Sequence, residues 1–277
     1  MVDPTCGRRI EECLASQGRD YAIDHRAVMP EDGAEVHEVG GAGGGVAVWG
    51  SKRGAPNVSR AFALGIGGEV TEADLAGVEA FYGRHGAPVR VVTAPWTHRS
   101  LFELLAARRD RVTSFDNVLT RVLTKGDPLK VGGAAAPGVV VRAVGQHEVP
   151  AWGEVVRAGF GMAPDDEPSM AADRVFERSK TATLYIATVD GEPAGGAALD
   201  VRDGMATLFA TATIPAYRRR GVHGALVAAR LAHAVAADVD LAVVITAPGS
   251  DSQRNLETSC GFRVGYSTAL FEAPKVW

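Results

Sequence analysis

Residues 205–229 read MATLFATATIPAYRRRGVHGALVAA, and this stretch decides how the second half of the chain folds. We predict a strand from Met205 to Thr213, which Pro215 terminates. A basic turn follows, and Gly221 opens a helix of small and apolar residues that extends to residue 237. The order of strand, basic turn and helix is typical of a site that binds an anion.

Three properties of the turn favour a phosphate ligand. The first N–H groups of a helix have no partner inside the helix, and the helix dipole adds partial positive charge there. Gly221 has no Cβ, so the backbone can approach an oxyanion closely. The consecutive Arg218, Arg219 and Arg220 supply charge and forked donors, and Ala225 keeps the helix slim. These residues indicate a bound pyrophosphate, and a solvated basic loop is the alternative.

The segments around this motif predict an α/β domain over residues 139–273. Asp190 and Gly191 form a turn pair typical of a hairpin, and Ser250 and Gln253 have the spacing of a capping box. Residues 241–246 are apolar on both faces, as in a central strand. The predicted strands are residues 139–144, 183–188, 194–200, 205–213, 241–246 and 263–271, and the predicted helices are residues 149–158, 170–179, 221–237 and 250–259.

The first half has a similar but weaker pattern. Thr71 can cap a helix over residues 71–84, and residues 89–93 form an apolar run that predicts a buried strand. Residues 124–138, TKGDPLKVGGAAAPG, have the composition of a linker. We therefore divide the chain into a domain over residues 1–124, a linker over residues 125–138 and a second domain over residues 139–277. The remaining predicted elements are helices over residues 3–17 and 100–109 and a strand over residues 115–123.

The two halves share a short repeat. VRVVTAP at residues 89–95 resembles AVVITAP at residues 242–248, and each copy lies between two predicted helices. Arg-Val follows the second helix in both halves, at Arg111 and at Arg263. An echo at a constant offset of about 150 residues suggests a duplicated domain. Chance similarity between two apolar strands is the alternative.

The motif resembles that of the GNAT superfamily, the acyl-CoA-dependent N-acyltransferases. Those proteins carry R/Q-x-x-G-x-G/A between their fourth strand and third helix, and the pattern here is Arg218-Arg219-Arg220-Gly221-Val222-His223. His223 departs from it. A Gly-Phe pair, Gly261-Phe262, ends the next helix as in the family. The resemblance covers residues 139–273 in element order. It implies two α/β, GNAT-like domains, each a mixed, mostly antiparallel sheet flanked by helices.

The resemblance implies acetyl-CoA as co-substrate and no metal. In the family the fourth strand presents main-chain groups to the pantetheine arm and the acyl carbonyl, and the motif holds the pyrophosphate. An Asn often opens the fourth helix, where this chain has Ser250, and Asn255 lies nearby in another register. The implied coenzyme-binding residues are Thr211, Ala212, Thr213, Arg218, Arg219, Arg220, Gly221, Val222, His223, Gly224, Ala225, Ser250 and Asn255.

The catalytic groups are less clear from the sequence. A family Tyr that protonates the departing thiolate is replaced by Glu257. Glu257 is the candidate acid if burial raises its pKa well above about 4.3, and a solvated surface residue otherwise. The strand from Met205 to Thr213 has no carboxylate. Asp200 and Asp203 are either bases for the amine or exposed residues of a hairpin turn.

The acceptor side is implied to lie at GFGMAPDDEPSM, residues 159–170. Phe160 and Met162 can wall a pocket. The acidic run from Asp165 to Glu167 attracts a cationic amine if it lines that pocket, and otherwise is a solvated loop. Trp152 and Tyr266 are candidates for substrate contact or for core packing.

The first half lacks the basic motif. LGIGGEVTEADL stands where the second half has its arginines, and Glu69, Glu72 and Asp74 are carboxylates at the start of a helix. Carboxylates there satisfy the helix dipole and repel phosphate. If the halves are duplicates, the first is a degenerate copy that does not bind the coenzyme.

Composition limits the remaining classes. The net charge is −4 at pH 7, which argues against a nucleic-acid partner, and the three cysteines have no zinc spacing. No segment is apolar enough for a signal core or a membrane span, so we expect a cytoplasmic enzyme without a membrane partner.

The expected reaction is acetyl transfer to an amine, a small molecule, by direct attack in a ternary complex. The rivals are a non-catalytic acyl-CoA-binding or sensing protein and an enzyme that acylates a peptide N-terminus. The sequence does not indicate the oligomeric state.

Overall fold

The computed structural model describes residues 2–51, 57–126, 129, 131 and 137–274. The chain divides into two compact units, which we call unit 1 (Met1–Asn117 with Gly265–Trp277) and unit 2 (Val118–Val264). This division differs from the one drawn on the sequence, because residues 118–124 fall in unit 2 and residues 265–277 fall in unit 1. Residues 127, 128, 130 and 132–136 of the expected linker lie outside the described part of the chain.

Unit 1 is a sheet with helices built mainly from the first part of the chain. Its strands follow the order β1-β2-β3-β4-β11, in which β3 and β4 are parallel and the other pairs are antiparallel. The helices are α1 (Pro4–Val28), α2 (Glu72–Arg84) and α3 (Arg99–Ala107), and the strands are β1 (Glu35–Glu38), β2 (Val46–Trp49), β3 (Ala61–Phe62), β4 (Arg90–Thr93), the first part of β5 (Arg111–Val122) and most of β11 (Arg263–Glu272).

The last strand of the chain therefore belongs to unit 1. Ala269 pairs with Thr93 and Phe271 with Val91, so β11 completes the sheet next to β4. The buried side chains of Leu75, Phe81 and Leu101 pack beneath these strands in one apolar cluster.

The strands of unit 2 follow the order β10-β9-β8-β7-β6. Only the pair of β9 and β10 is parallel among these strands. Leu123 N donates to Asp240 O over 2.8 Å, so the end of β5 lies beside β10. The strands are β6 (Val139–Ala143), β7 (Ala182–Val189), β8 (Glu192–Arg202), β9 (Met205–Thr213) and β10 (Leu241–Thr246), and the helices are α4 (Val149–Phe160), α5 (Glu167–Arg178), α6 (Val222–Ala236) and α7 (Asp251–Ser259).

Local sequence explains these elements. Asp190 and Gly191 both have positive φ, 54° and 91°, as the predicted two-residue hairpin turn requires. Thr71 and Asp74 cap α2 reciprocally, as predicted. Leu226 and Leu231 of α6 pack on one face of the unit 2 sheet, and Trp152 of α4 packs on the other.

The predicted fold class is confirmed: each unit is a mixed, mostly antiparallel sheet with helices. The bounds of β9 and β10 agree with the prediction. Strands β1, β2 and β3 were not predicted, and α1 extends to Val28, where we expected it to end at residue 17. No helix in the described ranges is long and apolar enough to cross a membrane.

Candidate active site

The end of β9 is shaped by a bulge. Ala198 of β8 opposes Phe209 and Gly196 opposes Ala212, so two residues of β9, Ala210 and Thr211, stand opposite one residue of β8. Ala210 has φ of 48°, a left-handed conformation that is strained for a residue with a Cβ. The bulge turns the strand locally and shifts its register, after which the pairing with β8 resumes at Ala212 and Thr213.

Near this bulge, β9 stops pairing with β10, the strand on its other side. The parallel pairing with β10 covers residues 205–207 and 241–243, and the described ladder ends at Thr207. Thr211 and Thr213 lie beyond that point, half-buried, and Ala212 is buried. On the side that faces β10, the described ladder gives the main-chain groups of these residues no strand partner, so that side can receive a ligand.

The basic turn leads directly from β9 to α6. Arg219 and Gly221 have φ of 61° and 78°, and Gly221 is the N-cap residue without any side-chain cap. The first helical hydrogen bond joins Ala225 N to Gly221 O over 3.0 Å. The N–H groups of Val222, His223 and Gly224 precede this bond, so they have no acceptor inside the helix. A helix start of this kind has the free donors that an anion site needs, as expected from the sequence.

Two glycines bring other backbone close to β9. A Cβ on Gly159 of α4 would lie 2.7 Å from Ala212 Cβ and 3.0 Å from Thr213 N. A Cβ on Gly195 of β8 would lie 2.7 Å from Ala212 O and 2.9 Å from a methyl carbon of Val222. The shortest distance for each glycine, 2.7 Å, is too short for a real Cβ. The absence of a side chain at these two positions therefore permits α4, β9 and α6 to meet at one place.

Two of the three arginines already contact the protein. Arg218 Nη2 donates to Gly159 O over 3.3 Å and Arg218 Nε to Thr213 O over 3.5 Å, which joins the end of α4 to the end of β9. Arg220 pairs with Asp190 at 3.1 Å and lies over the Tyr217 ring. Both ion-pair partners are substantially exposed, so this pair contributes little stability.

His223 is a neutral side chain at ordinary pH. Burial is the main cause that lowers its pKa to about 4, and the nearby charge of Arg230 lowers it further. The imidazole therefore adds no charge to the turn at neutral pH, and the positive charge there comes from the arginines.

The residues expected on α7 form a separate local group. Ser250 caps the helix by accepting from Gln253 N, but Gln253 Oε1 accepts from Gly249 N, so the reciprocal half of the predicted box is shifted by one residue. Gln253 Nε2 donates to a carboxylate oxygen of Glu257 over 3.0 Å. Glu257 is half-buried and Asn255 is exposed.

The structure corrects one expectation about the carboxylates. Asp200 is not an exposed turn residue: it lies within β8, only 3% exposed, and accepts from Arg202 and from Thr181 Oγ1. Strand β8 continues to Arg202, and the turn falls at Asp203, whose φ is 48°. Asp200 is thus engaged in a buried ion pair, whereas Asp203 matches the turn interpretation.

Two aromatic candidates prove to be core residues. Trp152 is 1% exposed, and its Nε1 donates to Ala197 O over 3.2 Å. Tyr266 belongs to unit 1, where its hydroxyl donates to Glu11 over 2.5 Å. The packing alternative holds for both.

Apolar side chains are exposed on the loop between α4 and α5 and on the adjoining ends of both helices. Phe160, Met162 and Met170 are 52%, 46% and 43% exposed. Asp166 is the N-cap of α5, and its bonds from Ser169 lower the pKa of its carboxyl. The loop combines an exposed apolar surface with carboxylates, as an acceptor site for an amine would.

Two residues at this site, Arg230 and Ala210, were not predicted from the sequence. Arg230 interrupts an otherwise apolar face of α6, between Leu226, Val227 and Leu231, and that interruption was a usable signal. The left-handed Ala210 left no signal, because alanine is ordinary in a strand. No group of His, Cys, Asp or Glu suited to a metal is found among the described residues.

Comparison with known proteins adds a family and a fold. Residues 149–262 match the profile of the acetyltransferase (GNAT) family, and no curated protein sequence matches the chain. A GCN5-related N-acetyltransferase from Kribbella flavida is 20% identical, with a TM-score of 0.65 over 96% of each chain.

Two further solved structures are similar. A tandem GNAT protein from the clavulanic acid biosynthesis pathway is 16% identical, with a TM-score of 0.66 over 93% of this chain and 89% of that one. A GCN5-related N-acetyltransferase from Sphaerobacter thermophilus is 17% identical, with a TM-score of 0.54 over 73% of this chain and 67% of that one. The profile match is thus confined to residues 149–262, and these solved structures show that the chain shares their fold.

Proposed function

We propose that unit 2 binds acetyl-CoA and transfers its acetyl group to an amine. The observation that carries this proposal is the uncapped start of α6 beside the bulged, diverging end of β9. The N–H groups of Val222, His223 and Gly224 suit a pyrophosphate, and the gap next to β9 suits an extended arm. A linear ligand with a pyrophosphate at one end and a reactive carbonyl at the other fits both features.

Each part of the coenzyme has proposed partners. The turn at Gly221 with Arg219 holds the pyrophosphate, Arg218 also fixes the turn, and the main chain of β9 binds the pantetheine arm. Ser250 and Asn255 are also proposed to contact the coenzyme, although Ser250 already accepts from Gln253 N at the start of α7. The proposed pyrophosphate residues are Arg218, Arg219, Arg220, Gly221, Val222, His223, Gly224 and Ala225, and those of the arm are Thr211, Ala212 and Thr213.

The proposed reaction is a direct attack. The neutral amine nitrogen forms a bond to the acetyl carbon, and the carbonyl oxygen becomes an oxyanion that main-chain N–H groups near Thr211 and Thr213 stabilise. The C–S bond then breaks, the nitrogen loses a proton, and the thiolate of CoA gains one. Glu257 is the proposed donor of the thiolate's proton, and water is the alternative.

Unit 1 is proposed to be a degenerate copy without a coenzyme site. The start of its helix α2 is closed by Thr71, which accepts from Asp74 N, and by Asp74, which accepts from Thr71 N. Glu72 forms an ion pair with Arg108 at the same end. This start carries its own carboxylates and caps, whereas that of α6 has none, so phosphate is repelled from α2 and attracted to α6.

The acceptor is proposed to be a small-molecule amine that meets the α4–α5 loop. Asp165 and Glu167 lie on this loop and are expected to attract a cation, while Phe160 and Met162 offer apolar surface. Charge complementarity of this kind raises the rate of encounter more than the final affinity.

The test is acetyl-CoA binding by calorimetry to the double variant Arg218→Ala, Gly221→Asp. A lost guanidinium and an added carboxylate should weaken binding by several kcal/mol, roughly 10²-fold or more. The matched control is Arg99→Ala, which removes an exposed arginine from the start of helix α3 in unit 1 and should leave affinity unchanged. Unchanged affinity in a folded double variant would refute the proposed site.

A second candidate function is binding without catalysis. It is favoured by the absence of any carboxylate on β9 and by the hydrogen bond from Gln253 that already occupies Glu257. Release of free thiol from acetyl-CoA in the presence of a broad amine panel decides between the two. Tight acetyl-CoA binding without thiol release supports the sensing protein.

A further inference from the structure

Helix α6 buries an arginine that the proposed reaction does not use. Arg230 is fully buried, and one of its guanidinium nitrogens, Nη2, has no hydrogen-bond partner. In the part of the chain that the structure describes, Arg230 forms no ion pair with a carboxylate. Burial lowers its pKa to about 9, which still leaves it charged at neutral pH. A buried charge without a counter-charge is costly, so its position calls for a specific explanation.

The guanidinium contacts three main-chain carbonyls from three elements. Nε donates to Leu226 O within α6 over 3.0 Å. Nη1 donates to Ala198 O of β8 over 3.1 Å and to Phe209 O of β9 over 3.4 Å. The planar fork of arginine is what allows one side chain to reach all three acceptors.

Two of these carbonyls belong to the bulge. Ala198 and Phe209 are the last regular pair before it, and Ala210 with its positive φ follows directly. A bulge breaks the ladder, and a carbonyl that leaves the ladder inside a core must find another donor. Arg230 Nη1 supplies that donor on both strands at once.

We propose that Arg230 is a positioning residue that holds the bulge of β9 and thereby aims the main chain of Thr211, Ala212 and Thr213 at the coenzyme's arm. The inference rests on the proposed function for its ligand and on the geometry of the bulge for its structural part. Arg230 touches no reacting atom in this scheme. The strain at Ala210 persists because Arg230 and the neighbouring packing maintain it.

Arg230 should affect the binding of only one of the two halves of the coenzyme. The arm is bound by the bulged strand, whereas the pyrophosphate is bound by the turn at Gly221, and the hydrogen bonds of Arg230 within the described residues all go to Leu226, Ala198 and Phe209 instead. Loss of Arg230 should therefore weaken acetyl-CoA but spare 3′-phosphoadenosine diphosphate, a fragment that keeps the pyrophosphate and lacks the arm. A merely structural role would weaken both ligands together or neither.

The experiment compares Arg230→Met, Arg230→Lys and Leu231→Ala in the full chain. Calorimetry measures the affinity for acetyl-CoA and for the fragment, and thermal unfolding measures stability. Arg230→Met should lose about tenfold or more in acetyl-CoA affinity with unchanged fragment affinity. Arg230→Lys should lose less, since an ammonium can reach some of the carbonyls but not all. Leu231→Ala removes a buried neighbour on α6 and should lower stability without the selective loss.

A crystal structure of Arg230→Met, or of Arg230→Lys if the first does not fold, decides the structural part independently. We expect Ala210 to leave its left-handed conformation and the register with β8 to become regular. A retained bulge with wild-type acetyl-CoA affinity would overturn the inference. If the wild-type chain does not bind acetyl-CoA, the proposed function fails, and the state of the bulge in the variant still decides the role of Arg230.

Discussion

Gly159→Ala tests the close approach of α4 to the end of β9. The added Cβ would stand 2.7 Å from Ala212 Cβ and 3.0 Å from Thr213 N, whereas ordinary contacts are about 3.5–4.0 Å. Because main chain lies on the other side, the end of α4 must move away by several tenths of an ångström or more. That movement also pulls Gly159 O away from Arg218, its donor at 3.3 Å.

The expected change in the stability of Gly159→Ala follows from two opposing effects. Alanine stabilises a helix by roughly 1 kcal/mol relative to glycine, whereas overpacking costs about 1–3 kcal/mol. The matched control is Gly83→Ala in α2, where a Cβ meets nothing within 4 Å. Both variants gain the same stabilisation from placing alanine in a helix. The difference between their free energies of unfolding therefore isolates the steric cost, about 1–3 kcal/mol.

Two assays check this prediction. Thermal unfolding should show Gly83→Ala as stable as wild type or more so, and Gly159→Ala less stable than Gly83→Ala. Calorimetry with acetyl-CoA should show a loss of about tenfold for Gly159→Ala alone, since roughly 1.4 kcal/mol corresponds to that factor. Equal stability changes and equal affinities in the two variants would refute the idea that this contact shapes the site.

Three further predictions concern single side chains. Glu257→Gln should lower turnover by roughly 10²-fold with little change in acetyl-CoA affinity if this carboxyl protonates the thiolate; normal turnover would assign that proton to water. Ala210→Gly should retain the bulge and raise stability by up to about 1 kcal/mol, because glycine adopts positive φ without strain, and a lower melting temperature would contradict this. Burial raises the pKa of Glu11 from 4.5 to about 7 despite the hydrogen bond from Tyr266, so the carboxyl stabilises the fold fully below pH 4.5 and loses that contribution as pH rises to about 7. The fall should approach roughly 3 kcal/mol and be absent in Glu11→Gln, as pH-dependent unfolding can show.

The sequence predicted the second half well where its signals were local. The apolar stretch before Pro215 and the glycine at residue 221 mark both ends of the connection from β9 to α6, and the observed bounds agree. The hairpin at Asp190 and the cap at Ser250 are likewise set by neighbouring residues. Such features depend on a few adjacent side chains, so a single sequence contains them.

Features that depend on distant partners were missed. Asp200 looked like a turn residue by spacing, but it lies within β8, where it accepts from Thr181 beside the neighbouring strand β7 and from Arg202 on its own strand. Strand β3 has two residues and is held by its neighbours, not by its own composition. The bulge at Ala210 depends on Arg230, twenty positions later, and neither residue signals the other.

The pairing of the C-terminal strand β11 with β4 has a consequence for synthesis on the ribosome. Thr93 of β4 and Ala269 of β11 are 176 residues apart, and at about 5–20 residues per second their joining waits roughly 10–35 s after β4 is made. During that interval one edge of β4 lacks its final partner, and an open edge invites pairing with other chains. The residues of unit 2 all emerge within the same interval. We therefore expect nascent unit 1 to be most exposed to pairing with other chains until β11 has been made.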